Sequence, residues 1–479
     1  MPLGPRLAER VGERRGLAVG LVLTITVVAF ENLGVATAMP VVARELGGLS
    51  LYGWAFTAPL LASIVGITVA GRQVDRLGPG LPFAAGLVLF ATGLTIAGTA
   101  RTMPILVAGR FVQGLGTGAV PPVAYAAIGR AFADRARARM FALMSTAWVL
   151  PGVVGPAIAG TVAEEIGWRW VFLAIVPLVF ATGCLALPTL LAIGRPAVVA
   201  TSGIRGPIGR AAALAAGVGL VVAGLSWLSP LAIPVVIAGI AIATRPLQKL
   251  LPRGTLKLAR GLPAAAAARG LQTFAFFGAE AYIPLALNDL RNQRAAVAGL
   301  VLTGSTITWT TGAWVQERSG HAAGRRRLVG RGFVVLTAGV VLGSMVLLDA
   351  VPVAAAAAGW ALAGLGMGMS YSGLSLIVLA EAPPGREGEA TSALQLSDVL
   401  GMALGTGLGG AAVALGNAAG WSPRPGVAVA FALAATAGVL ACAASRRLPM
   451  GRETDHEDPL AIHGAVGDPG IGADRSPSG

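Results

Sequence analysis

The sequence predicts an all-α membrane protein of fourteen transmembrane helices, arranged as two six-helix bundles with a two-helix insert between them. Three observations predict it: an apolar content that no water-facing surface accommodates, basic residues gathered in alternate loops, and a glycine pattern that recurs 250 residues further on. Of 479 residues, 55% are hydrophobic and only 12% charged, which leaves too few polar side chains to cover a soluble fold of this size. The 68 glycines fit a lipid setting, where small residues let helix backbones approach. Lipid offers the backbone no hydrogen-bond partners, and the alternating pattern of a β-barrel is absent, so the spans are helical.

A span needs about 20 apolar residues. Residues 1–16 form a basic lead with Arg6, Arg10, Arg14 and Arg15. The run 17–41 follows. Ala36-Thr37-Ala38 imitates a signal cleavage site, but the run is too long for a signal core and carries Glu31 in its middle, so it is expected to stay as the first helix. Runs 52–71, 82–100, 103–128, 139–164 and 169–193 complete an N-terminal bundle over 17–193. The linker 194–262 holds spans 209–228 and 231–246, the second short and with Pro230 and Pro234 near its start. These two cross together or not at all, because a single crossing would turn every later basic loop outward. Spans 263–286, 295–316, 329–348, 351–379, 389–415 and 425–444 form a C-terminal bundle over 263–445. Residues 446–479, rich in Pro, Gly and Asp, read as a disordered cytoplasmic tail, with Asp455, His456, Glu457 and His463 solvated rather than holding a metal.

Charge orients the helices. With the N-terminus in the cytoplasm, about 29 of the 36 Lys and Arg residues lie inside and about 6 outside, with Arg110 within a helix. The dense inside clusters are Arg130 to Arg139, Arg245 to Arg260 and Arg318 to Arg331. Both termini are thus expected in the cytoplasm, and the chain in the inner (plasma) membrane. The net charge of +14 is this bias, not a nucleic-acid platform, since no basic stretch is interleaved with aromatics. Cys184 and Cys442 sit in apolar runs with no disulfide or metal spacing, and His321 lies outside them.

Gly114, Gly116 and Gly118 match Gly364, Gly366 and Gly368, and the same offset takes Gly155 and Gly160 to Gly405 and Gly410. Parallel repeats of this kind place a transport site at the midplane between halves. The Gly114-x-Gly116-x-Gly118 run lies in a helix, follows no strand and lacks a P-loop lysine, so it is not a nucleotide loop.

Five features carry a resemblance. Gly71-Arg72-Gln73-Val74-Asp75-Arg76-Leu77-Gly78 lies between helices two and three, Arg110-Phe111-Val112-Gln113-Gly114 in helix four, and Gly152-Val153-Val154-Gly155-Pro156 with Gly160 in helix five. Trp168-Arg169-Trp170-Val171-Phe172 follows, and Glu31 with Pro40 marks helix one. Together these resemble the major facilitator superfamily, and within it the 14-helix drug:proton antiporter branch. Pro79 and Gly80 depart from the pattern, which has cations there. The resemblance implies a major facilitator fold and a proton-coupled antiporter that exports small amphipathic or hydrophobic compounds by alternating access. Export of an endogenous metabolite or lipid would look the same, and proton-driven uptake fits the helix-five motif less well. The implied partners are the bilayer, a small-molecule substrate and protons, with no nucleic acid and a monomeric state. No cofactor is implied beyond the proton gradient. Neither an HExxH run, a Ser/His/Asp set nor a selectivity filter is present, which disfavours an enzyme or a channel.

The residues also carry weight physically. A charge at bilayer depth costs about 2.5–3.5 kcal/mol, so Glu31 should face a cavity or a partner. A carboxyl there is placed to load a proton on one side and release it on the other; the alternative is a structural interhelical hydrogen bond. Arg110 keeps its charge and can pair with Glu31 and connect to Gln113 one turn on, or it snorkels to the boundary. Glu280 and Asp398 are secondary acids, as proton sites, as contacts for a cationic substrate, or as structure. Trp148 and Trp360 are candidates to stack on a substrate in the cavity, against ordinary packing. Asp75 is expected to cap a helix start, and Arg76 to bridge to a neighbouring loop. Gly152, Gly155, Pro156 and Gly160 read as close-packing geometry with a proline bend.

Overall fold

A computed structural model of the chain describes residues 5–132, 140, 143–144, 146–193, 205–318, 322–382 and 387–449. Among them there are helices and turns and no strand. The fourteen helices are α1 (Pro5–Leu46), α2 (Trp54–Leu77), α3 (Gly80–Gly98), α4 (Met103–Ala131), α5 (Val149–Val162, continued by a wider turn over Ala163–Gly167) and α6 (Arg169–Leu173 and Ile175–Ala192). Then follow α7 (Arg205–Leu225), α8 (Ala232–Leu250), α9 (Leu262–Glu280), α10 (Ala295–Glu317), α11 (Ala322–Gly343), α12 (Val353–Glu381), α13 (Glu387–Ala418) and α14 (Pro423–Ser445).

Local chemistry sets the ends. Proline stands in the first turn of α4, α9 and α14, where its missing N–H costs nothing. Gly78 ends α2 at φ +80°, a conformation a side chain would resist. Inside the helices, hydroxyls such as Thr24, Thr26, Thr68 and Thr95 donate to carbonyls one turn back, which satisfies them without water. Among the described residues, eleven helices are long and apolar enough to cross a membrane. The other three, α4, α9 and α10, are long enough but less apolar. They carry Arg110 and Gln113, Arg269 and Gln272, and a run of Thr and Ser from Thr303 to Thr311. Their polarity is the price of the sites described below.

Several boundaries shift from expectation. Residues 71–77 are the last turns of α2, and only Gly78 and Pro79 form the turn to α3. Helix α8 runs to Leu250, longer than expected, and packs chiefly on α7 through the Gly217–Gly239 crossing, while α7 packs on α2 and α13. Both are long and apolar enough to cross. Part of the approach to α5, with Arg135, Arg137 and Arg139, lies outside the described residues, as do His321 and the 450–479 tail with Asp455, His456, Glu457 and His463.

The repeat is a repeat of packing. A Cβ on Gly114, Gly116 or Gly118 would strike Pro59, Phe90 or Ser63, of α2 and α3. A Cβ on Gly364, Gly366 or Gly368 would strike Ser305, Leu336 or Trp309, of α10 and α11. Helix α4 thus sits on α2 and α3 as α12 sits on α10 and α11, backbone against backbone. The halves meet along two related seams. In one, Gly160 meets Ala295 and Gly299 meets Pro156, joining α5 to α10. In the other, Gly410 meets Gly53, and Thr57 shares a 3.1 Å hydroxyl contact with Thr406, joining α2 to α13.

Candidate functional site: a buried ion pair in the N-terminal half

Glu31 lies midway along α1 and Arg110 two turns into α4, and their side chains are 1% and 3% exposed. Arg110 Nη1 donates to Glu31 Oε1 and, at 2.8 Å, to Gln113 Oε1. Its Nε donates to the Ala55 carbonyl at 2.9 Å, at the start of α2. The guanidinium therefore ties α1, α2 and α4 together. The structure brings the predicted triad into one contact and places Arg110 away from the helix surface, so it does not snorkel. Two helix features make room: Gly93 of α3 lies against Gln113, and Gly114 lets α4 press onto Pro59. A buried pair of this kind is costly to break from one side, because the remaining charge has no water to turn to. Arg110 also keeps acceptors of its own beside Glu31, the Ala55 carbonyl and Gln113 Oε1.

The helix-five motif lies on the seam between halves. Gly152 approaches Thr306 of α10, Gly155 approaches Phe30 beside Glu31, and Gly160 approaches Ala295. Pro156 has no N–H, and its carbonyl accepts the Thr37 hydroxyl of α1 at 3.1 Å. The Pro156 turn of α5 is thus tied to α1 six residues beyond Glu31. The loop motif is less connected. Asp75 and Arg76 are exposed on the last turn of α2, and α3 starts at Gly80, after Pro79, with no side-chain cap, so Asp75 does not cap that helix. Arg76 was expected to bridge to a neighbouring loop, and residues 133–139, which follow α4, lie outside the described residues. Gly71 faces Pro122 of α4.

The remaining candidates are scattered. Glu280 is the buried last residue of α9. Trp360 is fully buried and stacked on Phe276, with ring centroids 5.0 Å apart and planes at 22°. It presents no free face to a ligand in this conformation. Trp148 is exposed just before α5. A groove of about 560 Å³ between α2, α3 and α4, lined by residues such as Gly66, Gln73, Leu81 and Leu89, holds no acid.

Asp398 has company that sequence reading missed. Arg269 of α9 is 1% exposed, with its guanidinium 3.6 Å over the Tyr371 ring and 3.9 Å from Asp398. The charge census had counted Arg269 with the cytoplasmic loop, because it lies near the start of its span. Its signal was there in the helical spacing: Arg269, Gln272 and Thr273 share one polar face. Trp309, in edge contact with Phe276 and 5.5 Å from Tyr371, was likewise unmarked.

At the ends of the helices away from the termini, ion pairs join the halves. Arg294 pairs with Glu164 at 3.2 Å and with Glu165, and Arg44 pairs with Asp289 at 2.8 Å. Burial pushes the Asp289 carboxyl up from its usual range, against the Arg44 guanidinium, which lowers it. Tyr52 adds a 3.0 Å hydrogen bond to the Ala281 carbonyl.

The comparisons agree with this architecture. The family model of the Major Facilitator Superfamily matches residues 21–312. The chain belongs to that superfamily, and is a multi-span membrane transporter. It is 26% identical over 413 residues to the multidrug transporter protein MdtP of Bacillus subtilis, covering 83% of this chain and 75% of that one. It is also 26% identical over 472 residues to a probable multidrug-efflux transporter of Mycobacterium tuberculosis, covering 92% and 97%. Among solved structures, the D-xylose–proton symporter aligns over 91% of this chain and 98% of its own, with a TM-score of 0.63 at 13% identity. A bacterial homologue of the lysosomal transporter Spinster, inward-facing and unoccupied, aligns with a TM-score of 0.62, also at 13% identity, over 91% and 97%.

Proposed function

We propose that the protein is a proton-coupled antiporter that exports small amphipathic or hydrophobic compounds by alternating access. The observation that carries this reading is the Glu31–Arg110–Gln113 contact, a titratable carboxyl buried in a membrane helix beside a permanent cation. Relatives whose names describe multidrug transport support the substrate class. Both termini face the cytoplasm of the inner (plasma) membrane, following the basic loops, and the Arg294–Glu164 and Arg44–Asp289 pairs then close the outer side. In this state Glu31 is held by Arg110. Opening to the outside admits a proton to Glu31, loosens α1 from α4 and lets the seams rearrange. Return to the inside releases the proton and leaves the cavity ready for the next substrate.

The domains act as 17–193 and 263–445, with the 194–262 linker and its α7–α8 pair bracing α2 and α13 from one side. The protein works as a monomer, since one chain holds both halves and the site.

The test is a growth and accumulation screen in an efflux-deficient host with ethidium, tetraphenylphosphonium and uncharged hydrophobic compounds. Wild type should lower accumulation of at least one, and Glu31→Gln and Arg110→Ala should not. Efflux that survives a protonophore but requires ATP contradicts the energy source, and full efflux by Glu31→Gln contradicts the role of the pair.

A further inference from the structure

We infer that Asp398, Arg269 and Tyr371 form a second proton-binding site, in the C-terminal half and nearer the face that carries the termini. The inference extends the proposed antiport by adding a second acid to the cycle, and its test needs no transported substrate.

The geometry differs from that at Glu31 in one decisive respect. Asp398 Oδ2 accepts the Tyr371 hydroxyl at 2.8 Å, but Oδ1 is buried and has no hydrogen-bond partner. Arg269 Nη1 lies 3.9 Å from Oδ1, too far for a hydrogen bond, and it too is buried without a partner. Two opposite and unsatisfied groups face each other across a short gap. A fully ionised pair at that depth would be expected to close, because each unmet charge is expensive in a low dielectric. The open gap fits a carboxyl that carries its own proton.

Arg269 does not depend on Asp398 for its charge. Its Nη2 donates to the Tyr371 carbonyl at 2.7 Å and to Ser375 Oγ at 2.5 Å, and its plane lies over the Tyr371 ring. The cation is therefore held whether the acid is neutral or ionised. This leaves Asp398 free to take up a proton at Oδ1 and to give it back when the surrounding helices move and admit water, with Arg269 stabilising the anion when the gap closes.

The charged and titratable groups acting on Asp398 are Arg269 from α9 and Tyr371 from α12, and Tyr125 of α4 acts in turn on Tyr371. Thr273 of α9 also donates to the Asp398 backbone carbonyl at 3.0 Å. Tyr125 belongs to the N-terminal half and hydrogen-bonds Gln395, one turn before Asp398. The site thus touches the boundary between halves, where alternating access changes the water supply. The Asp398 side chain is 16% exposed, against 1% for Glu31, although its Oδ1 is buried, so in this conformation the second acid lies nearer to solvent than the first. The two acids sit in opposite halves and are exposed unequally, which suits loading and unloading at different points of one cycle.

The test is pH-difference infrared spectroscopy of the full-length protein in lipid, over about pH 4 to 9, reading the carbonyl band of protonated carboxylic acids. Asp398→Asn should delete one band that Glu31→Gln leaves intact. Tyr371→Phe keeps the acid and the ring and should shift the frequency of that same band. Arg269→Gln should move its pH midpoint by at least about one unit while leaving the Glu31 band in place. A spectrum of Asp398→Asn that superposes on wild type overturns the inference. So does an unshifted band in Tyr371→Phe, which serves as the arbiter if the asparagine variant does not fold. Loss of the Glu31 band alone would instead tell against the proposed antiport.

Discussion

The two halves pack alike and are furnished differently. Where α4 crosses α1 in the N-terminal half, Arg110 meets Glu31. The repeat that pairs Gly114 with Gly364 pairs Arg110 with Trp360 and Gln113 with Ala363. The offset between α2 and α10, read from Pro59 and Ser305, sets Glu31 against Phe277 and puts Glu280 one turn further on. At the crossing where one half has an ion pair, the other has Trp360 stacked on Phe276, with Trp309 and Phe277 around them. The glycine ridges that set helix spacing are kept in both halves, while the polar triad occurs once. Backbone packing is what both halves need to form a bundle; a titratable pair at the crossing is needed in one half only. The charge in the C-terminal half sits elsewhere, at Arg269 and Asp398, and in an open rather than a closed geometry.

The largest effect should come from breaking the closed pair. Arg110→Ala leaves Glu31 buried beside unsatisfied neighbours and should cost about 3–5 kcal/mol of stability, with loss of coupled transport. Thermal unfolding in detergent and vesicle transport read the two effects. If Arg110→Ala unfolds like wild type, the pair is not the anchor of the N-terminal crossing. Trp360→Ala should cost a similar amount, about 3–5 kcal/mol, by opening a cavity against Phe276. Its total effect is smaller, since transport by the folded fraction should keep its dependence on the pH gradient. Loss of that dependence would erase the contrast between the two crossings.

Gly114→Ala and Gly364→Ala test what the halves share. Each adds a methyl against a backbone carbonyl, of Pro59 or Ser305, and each should cost about 1–3 kcal/mol. Similar losses are expected from both. A loss confined to one would show that the repeat of sequence is not a repeat of packing constraint.

The smallest effect belongs to the exposed pair Arg424–Asp349, joined by hydrogen bonds of 2.9 and 2.8 Å. The Arg424 hydrogen bonds hold the Asp349 carboxyl below its usual range. Any stability it adds is present above the ordinary carboxylate value and is lost as pH falls through the lower folded value. Arg424→Ala should therefore differ little from wild type at neutral pH, and not at all once Asp349 is protonated in both. A large difference at neutral pH would mean that surface pairs, and not the buried crossings, set the stability of the bundle.

Much of this was legible from the residues. Lipid forces helices, so hydropathy alone located the spans, and Glu31, Arg110 and Gln113 stood out as polar groups in apolar runs. What was hidden followed from three-dimensional facing. Residues 71–77 looked like a loop because they are polar, yet an α-helix continues past the apolar stretch at no cost once it leaves the lipid. Arg269 was hidden by proximity to a basic loop, though its helical register turns it inward onto Tyr371. For Trp360 the sequence left ligand stacking and ordinary packing open, and the Phe276 stack with full burial shows packing in this conformation. The unequal exposure of Glu31 and Asp398 follows from how the helices pack in three dimensions, which no spacing of residues encodes.

The most direct test of the central claim is proton release on substrate addition. Proteoliposomes holding the protein and a lumenal pH dye are given an acid interior, and a compound identified by the screen is then added outside. Wild type should discharge the pH gradient in proportion to the compound taken up, and Glu31→Gln should leave the gradient standing. A Glu31→Gln variant that discharges the gradient as fast as wild type contradicts the assignment of proton coupling to the Glu31–Arg110 pair.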